Sequence, residues 1–378
     1  MTRPGTPSEV FRVFLRLGLT SFGGPIAHLG YFRDELVTRR QWLDDRAYAD
    51  LVALCQFLPG PASSQVGFAL GLMRAGWRGA AAAFLAFTLP SALILAIFAM
   101  GWGAGGGALT GLKIVAVAIV AQAVLGMSRS LCPDRERAAI AVAAVVLLAL
   151  LPTAVGMIAA ILMGALAGLA LNRGEPSPGG HSPAMPVTRG QARAAAIGFA
   201  LLLALPLLIG SGLFTGFFRA GALVFGGGHV VLPLLEQATV GNGWLGRDSF
   251  LAGYGAAQAV PGPLFTFAAY LGAAIDGIPG AAIALSAIFL PGFLILVAAL
   301  PHWDRLRRAP HAQSAMQGAN AAVVGILGAA LYDPVFTGAI GGMGDFALAL
   351  AGFLALVAWR LPPWAVVAAS ALLGAVIA

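Results

Sequence analysis

Two short motifs of glycine, proline and small polar residues interrupt apolar stretches of this chain, and each motif occurs twice. The first copy reads SFGGP at 21–25 and QFLPGP at 56–61, and the second reads FGGGH at 225–229 and QAVPGP at 258–263. A helix that starts at such a break points its unpaired amide N–H groups and the positive end of its dipole toward the break. Helix ends of this kind bind anions, so the two motifs predict an anion site.

Hydroxyl groups beside the breaks could donate hydrogen bonds to that anion. Ser63 and Ser64 follow the first Pro-Gly-Pro turn, and Thr266 matches Ser64 in the second copy. The hydroxyls either contact the anion or cap their own helices, while the glycines either admit a ligand close to the backbone or serve helix packing. The predicted substrate-binding residues are Arg16, Gly23, Gly24, Gln56, Pro59, Gly60, Pro61, Ser63, Ser64, Lys113, Arg219, Gly226, Gly227, Gly228, His229, Gln258, Pro261, Gly262, Pro263, Thr266 and Asn320.

The cations and the histidine of this set each have a second interpretation. Arg16 and Arg219 precede the glycine breaks at matched positions, and they either neutralise a dianion or anchor the chain at the membrane interface. Lys113, the only lysine, lies in an apolar run, where a charge is costly and functional by default; the alternative is that its amine reaches the headgroups. His229 either carries a coupling proton or makes a structural hydrogen bond.

The amides of the set are expected to be buried. Gln56 and Gln258 each lie three residues before a Pro-Gly-Pro turn, and Asn320 matches Lys113 in the second copy. Because a buried glutamine must find hydrogen-bond partners, we expect these two to bond either the broken backbone or the substrate.

Several classes of function are excluded because the sequence lacks the residues and motifs that they require. Acidic residues lie almost entirely between the runs, which argues against a carrier of cations. We find no nucleophile with a base, no metal-ligand spacing, no phosphate loop and no nucleotide motif, so we expect neither an enzyme nor a cofactor or metal site. The net charge of +7 comes from arginines between the runs, where they orient a membrane protein, rather than from a nucleic-acid-binding surface.

The composition indicates an all-α polytopic membrane protein. Hydrophobic residues make up 59% of the chain and charged residues 10%, against about 25% charged in soluble domains. The apolar runs are continuous rather than alternating, which excludes a β-barrel. We expect about nine or ten transmembrane spans in the cytoplasmic (inner) membrane, in contact with its lipid.

The two copies of the motifs belong to two homologous halves. Aligning Arg16 with Arg219 also aligns the glycine breaks, the Pro-Gly-Pro turns, and Pro90 with Pro291. We therefore predict an N-terminal repeat at 1–171, a linker with a connecting transmembrane helix at 172–210, and a C-terminal repeat at 211–378.

The arginines predict that the halves are inserted with opposite orientation. Each matched gap between apolar runs is basic in one half and poor in basic residues in the other. Basic loops stay in the cytoplasm, so the halves form inverted-topology repeats, with the N-terminus cytoplasmic and the C-terminus outside. Both flanks of 47–73 are basic, which predicts a re-entrant hairpin turning at Pro-Gly-Pro. Each arm, about 18 Å long, reaches the middle of the bilayer.

The paired motifs, with GLK at 111–113 and GAN at 318–320, resemble the chromate ion transporter family in its long, two-repeat form. The resemblance covers nearly the whole chain. It implies a membrane carrier that expels chromate, a tetrahedral dianion shaped like sulfate, and so confers chromate resistance; transport of sulfate or another oxyanion is the alternative within the family. One departure is that the second half has no proline after its glycines and reads Gly228-His229 instead, so the halves need not contribute equally.

The transport mechanism expected from these features is secondary. Membrane potential or ion exchange would drive export of the dianion. Two other classes stay open: a flippase for a phosphorylated lipid, whose headgroup is also an anion, and a passive anion channel. The sequence leaves the oligomeric state open, with a homodimer among the options.

Overall fold

The computed structural model describes residues 5–101, 107–174, 186–210, 212–225, 228–306 and 308–377. These residues form helices with short 3-10 and π segments and contain no β-strand. In chain order the α-helices are α1 Pro7–Thr20, α2 Gly24–Phe32, α3 Asp45–Phe57, α4 Ala62–Gly101, α5 Gly107–Leu131, α6 Arg135–Leu150, α7 Ala154–Leu171, α8 Arg189–Ala204, α9 Pro206–Ile209, α10 Leu213–Ala222, α11 Val231–Thr239, α12 Arg247–Ala257, α13 Phe267–Ala299, α14 Trp303–Leu306, α15 Pro310–Ala330, α16 Thr337–Ala339, α17 Met343–Val357 and α18 Pro363–Ile377.

Side-chain caps fix where several of these helices begin. Thr6, Asp44, Asp134 and Thr153 precede α1, α3, α6 and α7, and each accepts a hydrogen bond from the backbone N–H three residues later. The cap satisfies one of the amides that the first turn leaves unpaired. Helix starts in the loops are thus encoded locally by single polar residues.

Six helical stretches among the described residues are long and apolar enough to cross a membrane, and two shorter ones, in α17 and α18, are also apolar. The six are Ala62–Gly101, Gly107–Leu131, Ala154–Leu171, Arg189–Leu208, Leu264–His302 and Pro310–Ala339. Exposed apolar side chains lie one turn apart on them, as Leu93 (59%) and Ile97 (64%) do on α4, which suits a surface that faces lipid. The protein is a multi-pass membrane protein, although fewer helices meet this length criterion than the nine or ten spans predicted.

The 40-residue helix α4 is two helices that fold back on each other. Ala75 and Gly76 leave the helical conformation, and Gly71 packs against Gly79 and Ala83. Residues 71 and 79 of one straight helix would be about 12 Å apart, so the chain reverses between them. We name the two parts arm 4a (62–74) and arm 4b (77–101).

Helix α13 reverses in the same way at the matched position. Asp276 and Gly277 repeat the backbone angles of Ala75 and Gly76 to within about 10°, and Gly272 packs against Gly280. The arms here are 13a (267–275) and 13b (278–299). Equal reversals at matched positions account for both long elements.

The segments that flank the two Pro-Gly-Pro turns make contacts at opposite ends of arm 4b. At one end the Arg74 guanidinium lies 5.1 Å from the Trp42 ring, so the segments before and after the first turn meet there. At the other end Phe98 lies 5.9 Å from Tyr270, whose hydroxyl donates to the backbone oxygen of Ser249 in the first turn of α12. Arm 4b spans about 32 Å between Trp77 and Phe98, so the contacts at its two ends are separated by about that length.

The halves exchange helices instead of folding side by side. Gly318 of α15 packs against Gly164 and Gly168 of α7, while Gly111 of α5 packs against Ser370 of α18. The matched glycines of the GLK and GAN segments therefore serve close helix packing. Each half therefore completes its packing on the other.

Candidate functional site

The two Pro-Gly-Pro turns each bond to the glycine break of the opposite half. The backbone N–H of Gly60 donates to the oxygen of Val224 at 2.8 Å, and that of Gly262 donates to the oxygen of Ser21 at 2.9 Å. Ser21 and Val224 are matched positions, as are Gly60 and Gly262. The reciprocal pair brings all four breaks together, so most of the predicted site residues share one region of the molecule.

Glycine is required in both turns for backbone reasons. Gly60 and Gly262 have φ of +118° and +102°, which side-chain-bearing residues rarely adopt. A Cβ at Gly60 would lie 2.9 Å from Gly292 Cα, and one at Gly262 would lie 2.8 Å from Ser91 Oγ. Each turn thus packs closely against an arm of the other half: Gly60 against arm 13b and Gly262 against arm 4b.

The predicted hydroxyls behave differently in the two halves. Ser63 Oγ lies 3.3 Å from Nδ1 of His28, and Ser64 Oγ is buried without a hydrogen-bond partner among the described residues. Thr266 Oγ1 donates to the backbone oxygen of Pro263 at 2.7 Å. Thr266 therefore satisfies its hydroxyl on the local backbone without capping α13, whereas Ser64 does not satisfy its hydroxyl among the described residues.

Two buried polar residues of this region, His28 and Gln65, are missing from the predicted set. Both are 0% exposed. Gln65 Nε2 donates to the oxygens of Pro59 and Gly292, and its Oε1 has no partner among the described residues, as is true of His28 Nε2. The sequence did contain a signal for both residues, because each is a polar residue that lies in an apolar run within about one helical turn of a break. The positions that match His28 and Gln65 in the second half are Val231 and Phe267, which carry no polar group.

Arg16 and Arg219 have unequal surroundings. Arg16 is exposed, and its charge acts on Glu35. Burial acts to raise the pKa of Glu35, but the hydrogen bond and charge of Arg40, with the charges of Arg39 and Arg16, hold it below the ordinary value. Arg219 is half-buried, and no ion pair or hydrogen bond of its side chain occurs within the described part of the chain.

Lys113 lies away from the breaks. Its amine is 2.9 Å from Oδ1 of Asp248, which is 77% exposed. Asp248 is in the first turn of α12, and the second Pro-Gly-Pro turn follows the other end of that helix, about 15 Å away. An ion pair at the surface therefore accounts for this lysine.

The second glycine break is described only in part. Gly226 and Gly227 lie outside the described residues. Gly228 is buried, and a Cβ added there would lie 3.3 Å from Cγ of Pro25. His229 Nδ1 lies 2.8 Å from the Tyr254 hydroxyl, which is the structural hydrogen bond weighed for it. In the first break, Gly23 and Gly24 both have positive φ.

The three predicted amides differ from one another. Gln56 is exposed, so the expectation that it is buried is wrong; it lies on the side of α3 that faces away from the core. Gln258 and Asn320 are half-buried, and Nε2 of Gln258 and Oδ1 of Asn320 lack partners among the described residues. Position 258 therefore fits the predicted role better than position 56.

Comparison with known proteins adds independent evidence. The sequence profile of the chromate transporter family matches residues 8–169 and again 211–375. The chromate transport protein of Cupriavidus metallidurans is 31% identical over 85% of this chain and 81% of its own length. That of Pseudomonas aeruginosa is 30% identical over 87% and 81%, and a probable chromate transport protein of Synechococcus elongatus is 29% identical over 93% and 90%.

No solved structure significantly matches the chain. The sequence matches span both repeats and include the motifs on which the resemblance was based. The chain therefore belongs to the chromate transporter family.

Proposed function

We propose that this protein exports chromate, or a similar tetrahedral oxyanion, across the cytoplasmic membrane and so confers chromate resistance. The observation that carries the proposal is the reciprocal bonding of Gly60 to Val224 and Gly262 to Ser21. It supports a central site toward which helices from both halves begin, with their positive ends available to an anion. The names of the relatives supply the substrate.

The proposed topology has nine crossings. They are arms 4b and 13b with helices α5, α6, α7, α8, α15, α17 and α18. Helix α3 with arm 4a, and α12 with arm 13a, form the re-entrant hairpins. Entrances about 32 Å apart along arm 4b support hairpins that enter from opposite sides, as inverted repeats require. The N-terminus is then cytoplasmic and the C-terminus outside.

Membrane potential is a sufficient driving force for export. An inside-negative potential contributes about 2.3 kcal/mol per charge per 100 mV, or about 4.6 kcal/mol for a dianion. That corresponds to more than about a thousandfold in concentration ratio. Exchange against sulfate is the alternative coupling.

Flux from liposomes tests the proposal. Purified protein is reconstituted into vesicles loaded with chromate, and valinomycin with a potassium gradient sets the interior negative. We expect faster chromate efflux than without a potential, and competition by sulfate on the side from which chromate leaves. Vesicles without protein are the control for leakage.

Two results would contradict the proposal. Efflux indifferent to both potential and sulfate rejects the potential-driven carrier and the exchanger together. Protein-dependent movement of a phosphorylated lipid, without chromate efflux, would instead identify a flippase.

A further inference from the structure

A groove lined by apolar side chains follows one face of α6. It has a volume of about 830 Å³, and Met163 of α7 borders one side of it. Its residues on α6 recur every three or four positions between Arg135 and Leu150, which places them on one helix face. Residues 138–150 are all apolar. The groove therefore runs for about 22 Å along the helix, with a guanidinium at one end.

The apolar side chains of the groove are exposed, as those of a surface that meets lipid are. Val142 is 63% exposed, Val146 53% and Leu150 73%. The neighbouring α7 is among the stretches that are long and apolar enough to cross a membrane. One leaflet of a bilayer contains about 15 Å of hydrocarbon, so the groove is long enough to hold an acyl chain.

A second cavity adjoins the charged end of the groove. Its volume is about 490 Å³, and Ala138 borders both spaces. Ser128 and Arg129, in the last turn of α5, form its polar side, and Val324 of α15 lies on its apolar side. An apolar groove that ends at a polar, basic cavity matches a lipid with an anionic headgroup.

The two arginines at this junction have no acidic partner among the described residues. Arg129 and Arg135 are both exposed, and neither guanidinium makes an ion pair or hydrogen bond within that part of the chain. The acids of the same segment are already paired, Asp134 with Arg137 at 2.6 Å and Glu136 with Arg173 at 2.8 Å. Two positive charges therefore remain for an external partner.

Uncompensated arginines beside an apolar groove favour an anionic lipid over a neutral one. The cytoplasmic leaflet has a negative surface potential that attracts basic groups, and the topology proposed above places this segment on the cytoplasmic side. The matched segment of the second half, 332–337, has no basic residue. The charge that would select the lipid thus belongs to this junction and is not repeated in the other half.

We propose that one anionic phospholipid binds at this junction, with its phosphate at Arg129 and Arg135 and an acyl chain in the groove along α6. The inference rests on the proposed topology but not on the identity of the transported anion. Guanidinium groups bind phosphate oxygens through charge-assisted hydrogen bonds. A lipid held in this way joins the end of α5 to α6 and α7.

Native mass spectrometry of the full-length protein in detergent tests the inference, with phosphatidylglycerol as the anionic probe and phosphatidylcholine as the zwitterionic control. We expect one phosphatidylglycerol per chain, with a Kd about tenfold or more below that of phosphatidylcholine. Removing both guanidinium groups, in Arg129→Gln/Arg135→Gln, should raise that Kd about tenfold or more. The control Arg189→Gln/Arg193→Gln removes the same charge from exposed positions of α8 and should change the Kd less than about twofold.

A second pair of variants tests the groove. Ala139→Phe places a ring in the groove and should raise the Kd for phosphatidylglycerol about fivefold or more. Val145→Phe is the control, since this exposed residue of α6 does not line the groove, and its Kd should stay within about twofold of the wild-type value. Equal elution volumes in size exclusion show that each variant is folded.

The outcomes that would overturn the lipid site are distinct from those that concern transport. Equal Kd values for the two lipids, or equal effects of the two arginine pairs, would mean that charge at this junction does not select the lipid. A dimer that dissociates in Ala139→Phe would mean that a second copy of the chain occupies the groove. Chromate efflux from vesicles is measured separately, so its absence in protein that binds phosphatidylglycerol would contradict the proposed function alone.

Discussion

At the scale of the residue, the two halves of this transporter share a backbone pattern but not a chemistry. The glycines of both Pro-Gly-Pro turns have positive φ and lie against the opposite half. The side chains after them have diverged: Ser64 Oγ has no hydrogen-bond partner among the residues that the structure describes, while Thr266 Oγ1 donates to the backbone oxygen of Pro263. The two halves have thus kept the residues that shape the backbone of the turns and differ in the polar side chains that follow them.

Lys113 is a charged residue in an apolar run, which predicted a place in the binding site, but in the structure it forms an ion pair with Asp248. Replacement of Lys113 by glutamine should leave chromate flux within about twofold of the wild-type flux, because the lysine amine pairs with Asp248 at a place away from the breaks. The loss of stability should stay below about 1 kcal/mol, since the carboxylate partner is largely exposed. Asp248→Asn is the matched control and should behave alike in flux and thermal unfolding. A flux loss above tenfold in folded Lys113→Gln protein would return the lysine to the transport site.

At the scale of the element, the reversals within α4 and α13 determine where the turns lie. Each reversal is held by two glycines whose backbones touch, Gly71 with Gly79 and Gly272 with Gly280. Side chains at these positions would separate the arms and withdraw the start of arm 4a from the centre. The glycine contacts are therefore structural, and they set where arm 4a and arm 13a begin relative to the rest of the molecule.

Gly71→Ala and Gly272→Ala should each destabilise the protein because the added methyl group meets backbone atoms of the facing arm. Overpacking of this kind costs about 1–3 kcal/mol. The measurement is the thermal unfolding midpoint in detergent. Gly198→Ala is the control, since a Cβ there has no neighbour within 4 Å. Unchanged midpoints for both contact variants would mean that the arms are not packed as described.

At the scale of the whole molecule, the exchange of helices makes the repeats interdependent. Helix α15 completes its packing on α7, and α18 on α5. The sequence boundaries between the repeats thus do not coincide with separable packing units.

Cysteine labelling tests the opposed insertion of the halves. In a variant whose two cysteines are replaced by alanine, Arg46→Cys and Gly246→Cys place one thiol at the entrance of each hairpin; both positions are exposed. An impermeant maleimide added to intact cells should label Gly246→Cys, and Arg46→Cys only after permeabilisation. Labelling of both thiols from the same side would contradict inverted repeats.

Much of this organisation follows from sequence alone, because it depends on local chemistry. Apolar runs identify a membrane protein, and the repeated SFGGP and QFLPGP motifs identify the chromate transporter family, as the profile and relatives confirm. Glycine and proline disrupt helices wherever they occur, so the breaks after Thr20 and Phe57 were predictable to within a few residues. The placement of Lys113 beside Asp248 was not predictable.

Only the tertiary structure decides which break meets which, since that depends on the packing of helices far apart in the chain. The crossing of Gly60 to Val224 and of Gly262 to Ser21 joins each Pro-Gly-Pro turn to the glycine break of the other half. It also buries His28 against Ser63, a contact that no local pattern encodes. Burial leaves Ser64 Oγ without a hydrogen-bond partner in the part of the chain that the structure describes, and such a deficit exists only once the surrounding helices have excluded water.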